Sequence, residues 1–450
     1  MDTSAKVECA MNISPPVELQ ENWNRRMVTL AFPIILANLA QPVLSLVDTM
    51  VAGHLPGPWY LGGVALSGVL FNFLFWSFSF LRMATTGLVA QASGADDSAL
   101  IRKHLLRALL IAAAGGTIII VLQKPIIEIG LALLGGSEAV YESAVAYASA
   151  RIWSAPAALG NFVLLGYLLG RQRVMISLAL QVALNVLNLA ATVTLVFVFD
   201  WGVAGIGAGT AMAEWAAFIA GLLIVRPFSA GQPLDLRDLL DGAAFRSLIA
   251  VNRDIFLRSL FLLVCFGWFA RSGAAEGDAI LAANAVLLNL HGITSYGLDG
   301  FAHATETLVG SVIGARRKQA LRRVIQAAFL WSGLVALLFS LCYAMAGPTI
   351  ISLLTNQEEV RAAAVHFLPY VVVLPLISVT SYMLDGVFIG AIRTRELRNS
   401  MFISTTVFLA TAYILQQVWG NHGLWLGMMV LMLARAATLG LKLKRIFAQL

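Results

Sequence analysis

Seven ionisable side chains lie inside long apolar runs of this chain: Asp48, Arg82, Glu214, Asp299, His303, Glu306 and Asp385. A charge in hydrocarbon costs at least about 2.5 kcal/mol, so each needs a cavity, an opposite charge or a proton. Asp48 follows Pro33 and Pro42, and each proline removes a helix hydrogen bond and permits a bend. With Gln41 and Ser45 on nearby turns, a carboxyl group beside a bendable segment has the parts of a gate that answers to protonation. The plainer reading puts Asp48 at the outer interface, where it stays hydrated. Ser295, Asp299, His303 and Glu306 follow one another at spacings of four, four and three, which stacks them on one helical face. Such a stripe can relay protons or bind a cation; as a structural network, Asp299 or Glu306 would instead pair with Arg82 or Arg258. Asn161, Asn185 and Asn188 offer uncharged polar groups for lining a cavity or for bonding between helices. Asp385 and Glu214 are single acids of undetermined direction, and Arg151 and Arg435 read as helix-end residues that snorkel. The aromatic cluster from Phe71 to Phe80 reads as lipid-facing more readily than as a site for aromatic compounds.

The elements that hold these residues are membrane helices. Hydrophobic residues make up 59% of the chain and charged residues 12%, with a mean hydropathy of +0.82, outside the range of soluble domains. At roughly 20 apolar residues per span, twelve spans are expected, near 28–53, 61–92, 100–123, 140–169, 174–199, 203–225, 252–272, 279–312, 321–346, 361–390, 399–419 and 423–441. Alternate connections carry nearly all the positive charge, among them Arg102, Lys103, Arg107, Arg171, Arg173, Arg316, Arg317 and Lys318. By the positive-inside rule both termini are cytoplasmic, in an inner, cytoplasmic membrane.

The chain is also internally duplicated. Leu88-Val-Ala-Gln-Ala-Ser-Gly94 returns as Leu308-Val-Gly-Ser-Val-Ile-Gly314, and Gly166 and Gly170 return as Gly386 and Gly390. The fold class expected is an all-α polytopic membrane protein with twelve transmembrane helices in two six-helix lobes. Its division would be a tail over 1–24, an N-lobe over 25–226, a linker over 227–251 and a C-lobe over 252–450. Two similar bundles facing each other enclose a cavity that can open to either side, the plan of a transporter. The lobes share a frame but not their chemistry, since Asp299, Glu306 and Asp385 align with Ser79, Thr86 and Leu165.

Several classes drop out. No GxxxxGK[ST] loop supports direct ATP drive, and neither HExxH nor GxSxG is present. The run Gly205-Ile-Gly207-Ala-Gly209 lacks dinucleotide-binding spacing and suits close helix packing. The net charge of +6 sits at span ends and forms no basic domain, so no nucleic-acid partner is expected. Cys9, Cys265 and Cys342 have no ligand spacing, so neither a disulfide framework nor a metal site is expected.

The stretch Leu30-Ala-Phe-Pro-Ile-Ile-Leu-Ala-Asn38, then Pro42 and Val47-Asp48-Thr49-Met-Val-Ala-Gly53, resembles the first helix of multidrug and toxic compound extrusion (MATE) transporters. Leu298-Asp-Gly-Phe-Ala-His-Ala-Thr-Glu306 through Gly314 resembles the eighth helix of that family's DinF-like branch. The resemblance implies a monomeric, non-enzymatic antiporter that needs no cofactor and expels amphipathic, often cationic, drug-like compounds in exchange for H⁺ or Na⁺. It implies that Asp48 is the coupling residue, that Pro33 helps the first helix bend, and that Asn161, Asn188 and Thr192 form the N-lobe polar cluster; Gln41 and Asn185 are expected to line the same N-lobe cavity, and Pro42 to bend the first helix with Pro33. Many relatives carry Asp where this chain has Thr192. Losing that carboxylate weakens a Na⁺ site, so H⁺ coupling is expected over Na⁺. The alternative within transport is a flippase for lipids or lipid-linked precursors, which calls for a strongly cationic central cavity, whereas the candidate residues read as mostly acidic.

Overall fold

The computed structural model describes residues 22–226 and 236–448. The expected tail over 1–24 and linker over 227–251 therefore fall partly outside the described residues. Among the described residues eleven helices are long and apolar enough to cross a membrane: α1 Trp23–Ala52, α2 Pro58–Gly94, α3 Ser98–Val121, α4 Glu138–Gly170, α5 Val174–Val198, α6 Gly202–Val225, α8 Asp278–Gly314, α9 Lys318–Leu354, α10 Glu358–Gly390, α11 Thr394–Trp419 and α12 Asn421–Phe447. With α7, Gly242–Ala275, the spans among the described residues number twelve. Among the described residues no strand occurs. That is the economy a bilayer imposes, because a helix satisfies its own backbone where no water can.

Large apolar side chains such as Phe32, Leu133, Met345 and Leu441 face outward, as lipid-facing positions do. Inside, one apolar core fills the N-lobe, a second fills the C-lobe, and a third joins them through α1, α8, α9 and α10. Two spans are interrupted where they flank the centre. α2 breaks into Pro58–Trp76 and Phe80–Gly94, and α4 is broken by a tight turn over Ile152–Ser154 just before Pro156.

The duplication read in the sequence reappears as paired backbone contacts. Gly166 of α4 rests on the Arg82 carbonyl of α2, and Gly386 of α10 rests on the Ala302 carbonyl of α8; Gly170 and Gly390 do the same with the carbonyls of Thr86 and Glu306. Between the lobes the pairing crosses over. Gly94 packs on the backbone of Ser311 and Gly314 on that of Gln91, so close that neither position has space for a Cβ. Gln91 Nε2 donates to the Gly390 carbonyl at 2.8 Å and Thr307 Oγ1 to the Leu169 carbonyl at 3.2 Å, sealing that end of the molecule.

The described part of the interlobe connection is tied down. A short helix, Leu236–Leu239, lies against α3, where Arg107 donates to the carbonyls of Leu239 (3.0 Å) and Asp238 (2.6 Å). Asp241 then caps α7 by accepting from the amides of Ala243 and Ala244. α7 starts at Gly242, ten residues ahead of the apolar stretch that marks it in the sequence.

Candidate functional site

The N-lobe carboxylate is assembled by close helix packing. Gly207 lets α6 approach the Tyr147 carbonyl of α4, and Gly209 lets it approach Thr192 of α5. Thr210, the next residue, then reaches Asp48 of α1, with its hydroxyl 3.1 Å from both carboxylate oxygens. Asp48 is 1% exposed, so it is neither at a hydrated interface nor towards lipid. Tyr147 donates to its Oδ2 at 2.6 Å, and Asn188 Nδ2 lies 3.4 Å from its Oδ1 while donating to Thr210 Oγ1 at 2.9 Å. Arg151 Nη1 in turn donates to the Tyr147 hydroxyl at 2.6 Å. A guanidinium only donates, so the tyrosine oxygen accepts from Arg151 and its hydrogen is committed to Asp48.

Arg151 corrects the snorkelling assignment. Its guanidinium is buried, lies 4.8 Å over the Phe71 ring and faces the interior of the lobe, because α4 breaks immediately after it and folds the residue inward. The other expected N-lobe residues divide. Asn188 and Thr192 belong to the Asp48 cluster, with 3.4 Å between Asn188 Nδ2 and Thr192 Oγ1. Asn161 instead serves Glu214, donating to its carbonyl and to Oε2 at 3.0 and 3.2 Å, and Asn185 donates to the Ala40 carbonyl of α1 at 2.8 Å. The side chain of Gln41 lies outside the described residues. Pro33 and Pro42 both sit within an unbroken α1.

Between the lobes opens a cavity of about 1200 Å³, walled by α1, α2, α4, α5, α7, α8, α10 and α12. Ser45 and Thr49 of α1 line it, whereas Asp48 turns away into the N-lobe. Phe71, Phe73, Phe75 and Trp76 line it too, so this part of the aromatic cluster faces the cavity rather than lipid alone. The interruption of α2 after Trp76 brings this segment to the centre.

The C-lobe side carries the charge. Asp299 and His303 of α8 line the cavity with Arg82, Arg258 and Arg435. Asp385 lies behind them and accepts through one oxygen, Oδ2, from both Arg258 and Arg435, the latter at 2.6 Å. Arg435 is therefore no snorkelling residue: it is 4% exposed and points at α10. Glu306 is fully buried, 3.7 Å from Arg82 Nη1, and this pair bridges the lobes. Ser295, first in the stripe, hydrogen-bonds the Tyr382 hydroxyl at 2.6 Å. Asp299, His303 and Glu306 of the stripe meet Asp385 around one small space, a grouping that spacing along α8 does not give, and arginines rather than acids predominate where the stripe meets the cavity. The mostly acidic lining expected from the sequence is corrected: two of the three acids are turned inward by the arginines they neutralise.

Tyr147, Thr210 and the inward role of Arg151 are not evident in the sequence reading. The available signals were the four-residue spacing of Tyr147 and Arg151 on a buried helix, and the position of Thr210 immediately after the glycine run.

Twelve spans, a duplicated bundle and a central cavity walled by both halves define a polytopic membrane transporter. The MatE family profile matches residues 33–194 and 256–414, one segment in each lobe, and the chain belongs to that family, whose members are transporters and not enzymes. It is 45% identical over 417 residues to DNA damage-inducible protein F of Escherichia coli, spanning 91% of this chain and 90% of that protein. It is 25% identical over 444 residues to a probable multidrug resistance protein NorM of Photorhabdus laumondii, spanning 94% and 96%. Among solved structures, a MATE protein in the bent conformation superposes with a TM-score of 0.86 at 20% identity, covering 96% of this chain and 97% of that one. An outward-facing multidrug resistance MATE transporter gives 0.84 at 18% identity, covering 96% and 98%. These last two show the shared fold.

Proposed function

We propose that this chain is a secondary active multidrug efflux antiporter that exchanges amphipathic compounds for protons by alternating access, with Asp48 as the coupling acid. Membership of the MatE family and the multidrug resistance names of its relatives support the drug-efflux part of the reading. The observation that carries the coupling is the setting of Asp48. It is a buried carboxylate whose hydrogen-bond partners among the described residues are Tyr147, Asn188 and Thr210, with Arg151 one hydroxyl away; Glu214, the other acid that senses Arg151, is held by Asn161 and bonds none of these residues. A sodium ion seeks several hard oxygens and negative charge. Here Asn188 presents its amide nitrogen to the carboxylate, and a guanidinium adds positive charge, which suits a proton instead.

The Thr210 hydroxyl supplies a local switch. It has two acceptors in reach, Asp48 at 3.1 Å and the Ile206 carbonyl at 3.2 Å. With Asp48 ionised, the hydroxyl donates to the carboxylate. With Asp48 protonated, the acid donates to the threonine oxygen and the threonine hydrogen turns to Ile206. Protonation also deprives the Tyr147 and Arg151 pair of its anion, loosening α1 from α4 and α6. Such a change drives transport only through the difference in affinity of the two states for proton and for cargo. One proton crossing a gradient of about 150 mV supplies roughly 3.5 kcal/mol, enough for a few-hundred-fold cargo gradient.

Both termini and the Gly94 and Gly314 crossing fall on the cytoplasmic side in this reading, so the closed end is the inner one and the conformation faces outward. The test is dye transport in everted vesicles under an imposed pH gradient. Wild type should move dye with the pH gradient and ignore Na⁺, and Asp48→Asn should lose the dependence. Normal pH-driven efflux in that variant removes Asp48 from the mechanism, and dependence on Na⁺ without dependence on pH reverses the ion.

A further inference from the structure

At the floor of the central cavity three arginines stand with three acids, so their formal charges sum to zero, yet they are sorted by depth. Arg82, Arg258 and Arg435 reach the cavity surface, accompanied there by Asp299 alone among the acids. Glu306 and Asp385 stand behind, around a small annex of about 30 Å³ that also touches Arg258, Asp299 and His303. The arginines are drawn together, since Arg258 and Arg435 share a single oxygen of Asp385. They are also under-used. A guanidinium has five N–H donors in a planar fork, and Arg82 Nη1 is buried without a hydrogen-bond partner among the described residues. Its distance of 3.7 Å from Glu306 gives charge neutralisation and no hydrogen bond. Above this floor the walls are apolar and aromatic, with Phe75 and Trp76 from α2, Phe162 from α4, and Leu262 and Phe266 from α7.

We propose that Arg82, Arg258 and Arg435 form an anion seat, and that the cargo of this transporter includes amphipaths bearing a carboxylate, sulfonate or phosphate group. The head group docks on the guanidinium forks, which match planar oxyanions bidentately, and the apolar body lies along the aromatic wall. Arg82 belongs to the N-lobe and the other two arginines to the C-lobe, so a bound anion bridges the lobes and is released when they separate. The inference names a substrate class for the cavity of the efflux reading and rests on that reading. It is independent of Asp48, which does not line the cavity.

The test is fluorescence polarisation with the purified protein in neutral detergent, using two dyes of one xanthene ring system, anionic sulforhodamine B and cationic rhodamine 6G. Wild type should bind sulforhodamine B at least as tightly as rhodamine 6G. The paired variants Arg82→Gln with Glu306→Gln, and Arg435→Gln with Asp385→Asn, each remove one cation and one anion; the second also takes from Arg258 its Asp385 partner, so the melting of both is compared with wild type before binding is read. In each, the affinity ratio of sulforhodamine B to rhodamine 6G should fall about ten-fold or more, as loss of a charge-assisted hydrogen bond requires. A ratio unchanged in both pairs overturns the proposal, as does a wild-type preference for the cationic dye; if one pair fails to fold, the other decides. Short-chain phosphatidylglycerol separates two sources of the head group: competition with the dye on wild type admits lipid to the seat, and none restricts it to soluble amphipaths. Loss of the ratio change leaves proton coupling standing, while normal pH-driven efflux in Asp48→Asn sinks the coupling and leaves the seat intact.

Discussion

Tyr147 donates its phenolic hydrogen to Asp48 over 2.6 Å and so holds the carboxylate of α1 against α4. The direction of that bond is fixed from behind by Arg151, which makes the tyrosine a spacer between a cation and an anion that do not touch.

Tyr147→Phe should therefore be costly out of proportion to one oxygen atom. It leaves an Arg151 donor and an Asp48 acceptor unsatisfied in the lobe interior, each worth about 1–3 kcal/mol. The expected outcome is a lower melting temperature of the purified protein together with weakened coupling of dye efflux to the pH gradient. Unchanged melting and unchanged coupling would show that the hydroxyl holds nothing.

The crossing of Gly94 and Gly314 gives a prediction about conformation. A methyl group at either position meets backbone that cannot rotate away, and overpacking of this kind costs about 1–3 kcal/mol. The cost falls on the state in which the lobes touch, so Gly314→Ala and Gly94→Ala should both shift the population towards opening at that end, by about five-fold or more. In a cysteine-free background, a cysteine at Ser93 should then react faster with a maleimide. Gly68→Ala is the control, because nothing lies within 4 Å of the added methyl group. Equal labelling in all three variants would refute the closure.

Asp385 anchors two arginines at once, so Asp385→Asn should destabilise the C-lobe more than an ordinary ion-pair deletion. Breaking a buried pair from one side costs about 3–5 kcal/mol because a charge is left uncompensated. Adding Arg258→Met to Asp385→Asn should recover part of the loss, and a double-mutant cycle on melting temperature measures the coupling. Strictly additive losses would show that the two side chains do not sense each other.

The linker offers a pH dependence with a definite sign. The exposed Asp238 carboxyl accepts from Lys103 Nζ at 2.6 Å, and that ammonium holds it below its usual pKa. A lowered value means the pair contributes above the ordinary carboxylate pKa, about 4, and fades as pH falls through the folded value. Arg107, by contrast, grips two backbone carbonyls that do not titrate. Hydrogen exchange of residues 236–241, corrected for intrinsic rates, should be the same at pH 7 and pH 5. Arg107→Ala should speed it at both, while Lys103→Ala should do so only slightly, because exposed ion pairs contribute little. A larger effect from Lys103→Ala would reverse the assignment.

Much of this arrangement was legible in the chain. Repeated phrases ending at Gly94 and Gly314 announced the duplication, and each glycine now proves to sit where the repeats cross. Spacing placed Asp299, His303 and Glu306 on one helix face, because helical periodicity is a local property. What spacing does not give is the partner across a gap. Arg151 and Arg435 looked like end residues because distance along a helix says nothing about a break at Ile152 or an acid on α10. The inward turn of Asp385 and Glu306 likewise depends on α7, α12 and α2, which are remote in sequence, so the polarity of the cavity surface was hidden until the helices were packed.

Pro42 removes the amide that would bond the Asn38 carbonyl, leaving the helix weakest just before Asp48. Asn185 reaches across from α5 to the Ala40 carbonyl at 2.8 Å, within that weak segment. In the observed state the weakness is therefore braced from outside the helix, and any movement that carries α1 away from α5 must break the brace. Asn185→Ala removes about 1 kcal/mol of restraint and should speed interconversion. Pro42→Ala restores the internal bond and should slow transport turnover while dye binding persists. Turnover and equilibrium binding measured on the same preparations separate the two effects, and wild-type turnover in Pro42→Ala would mean that α1 moves as a rigid rod.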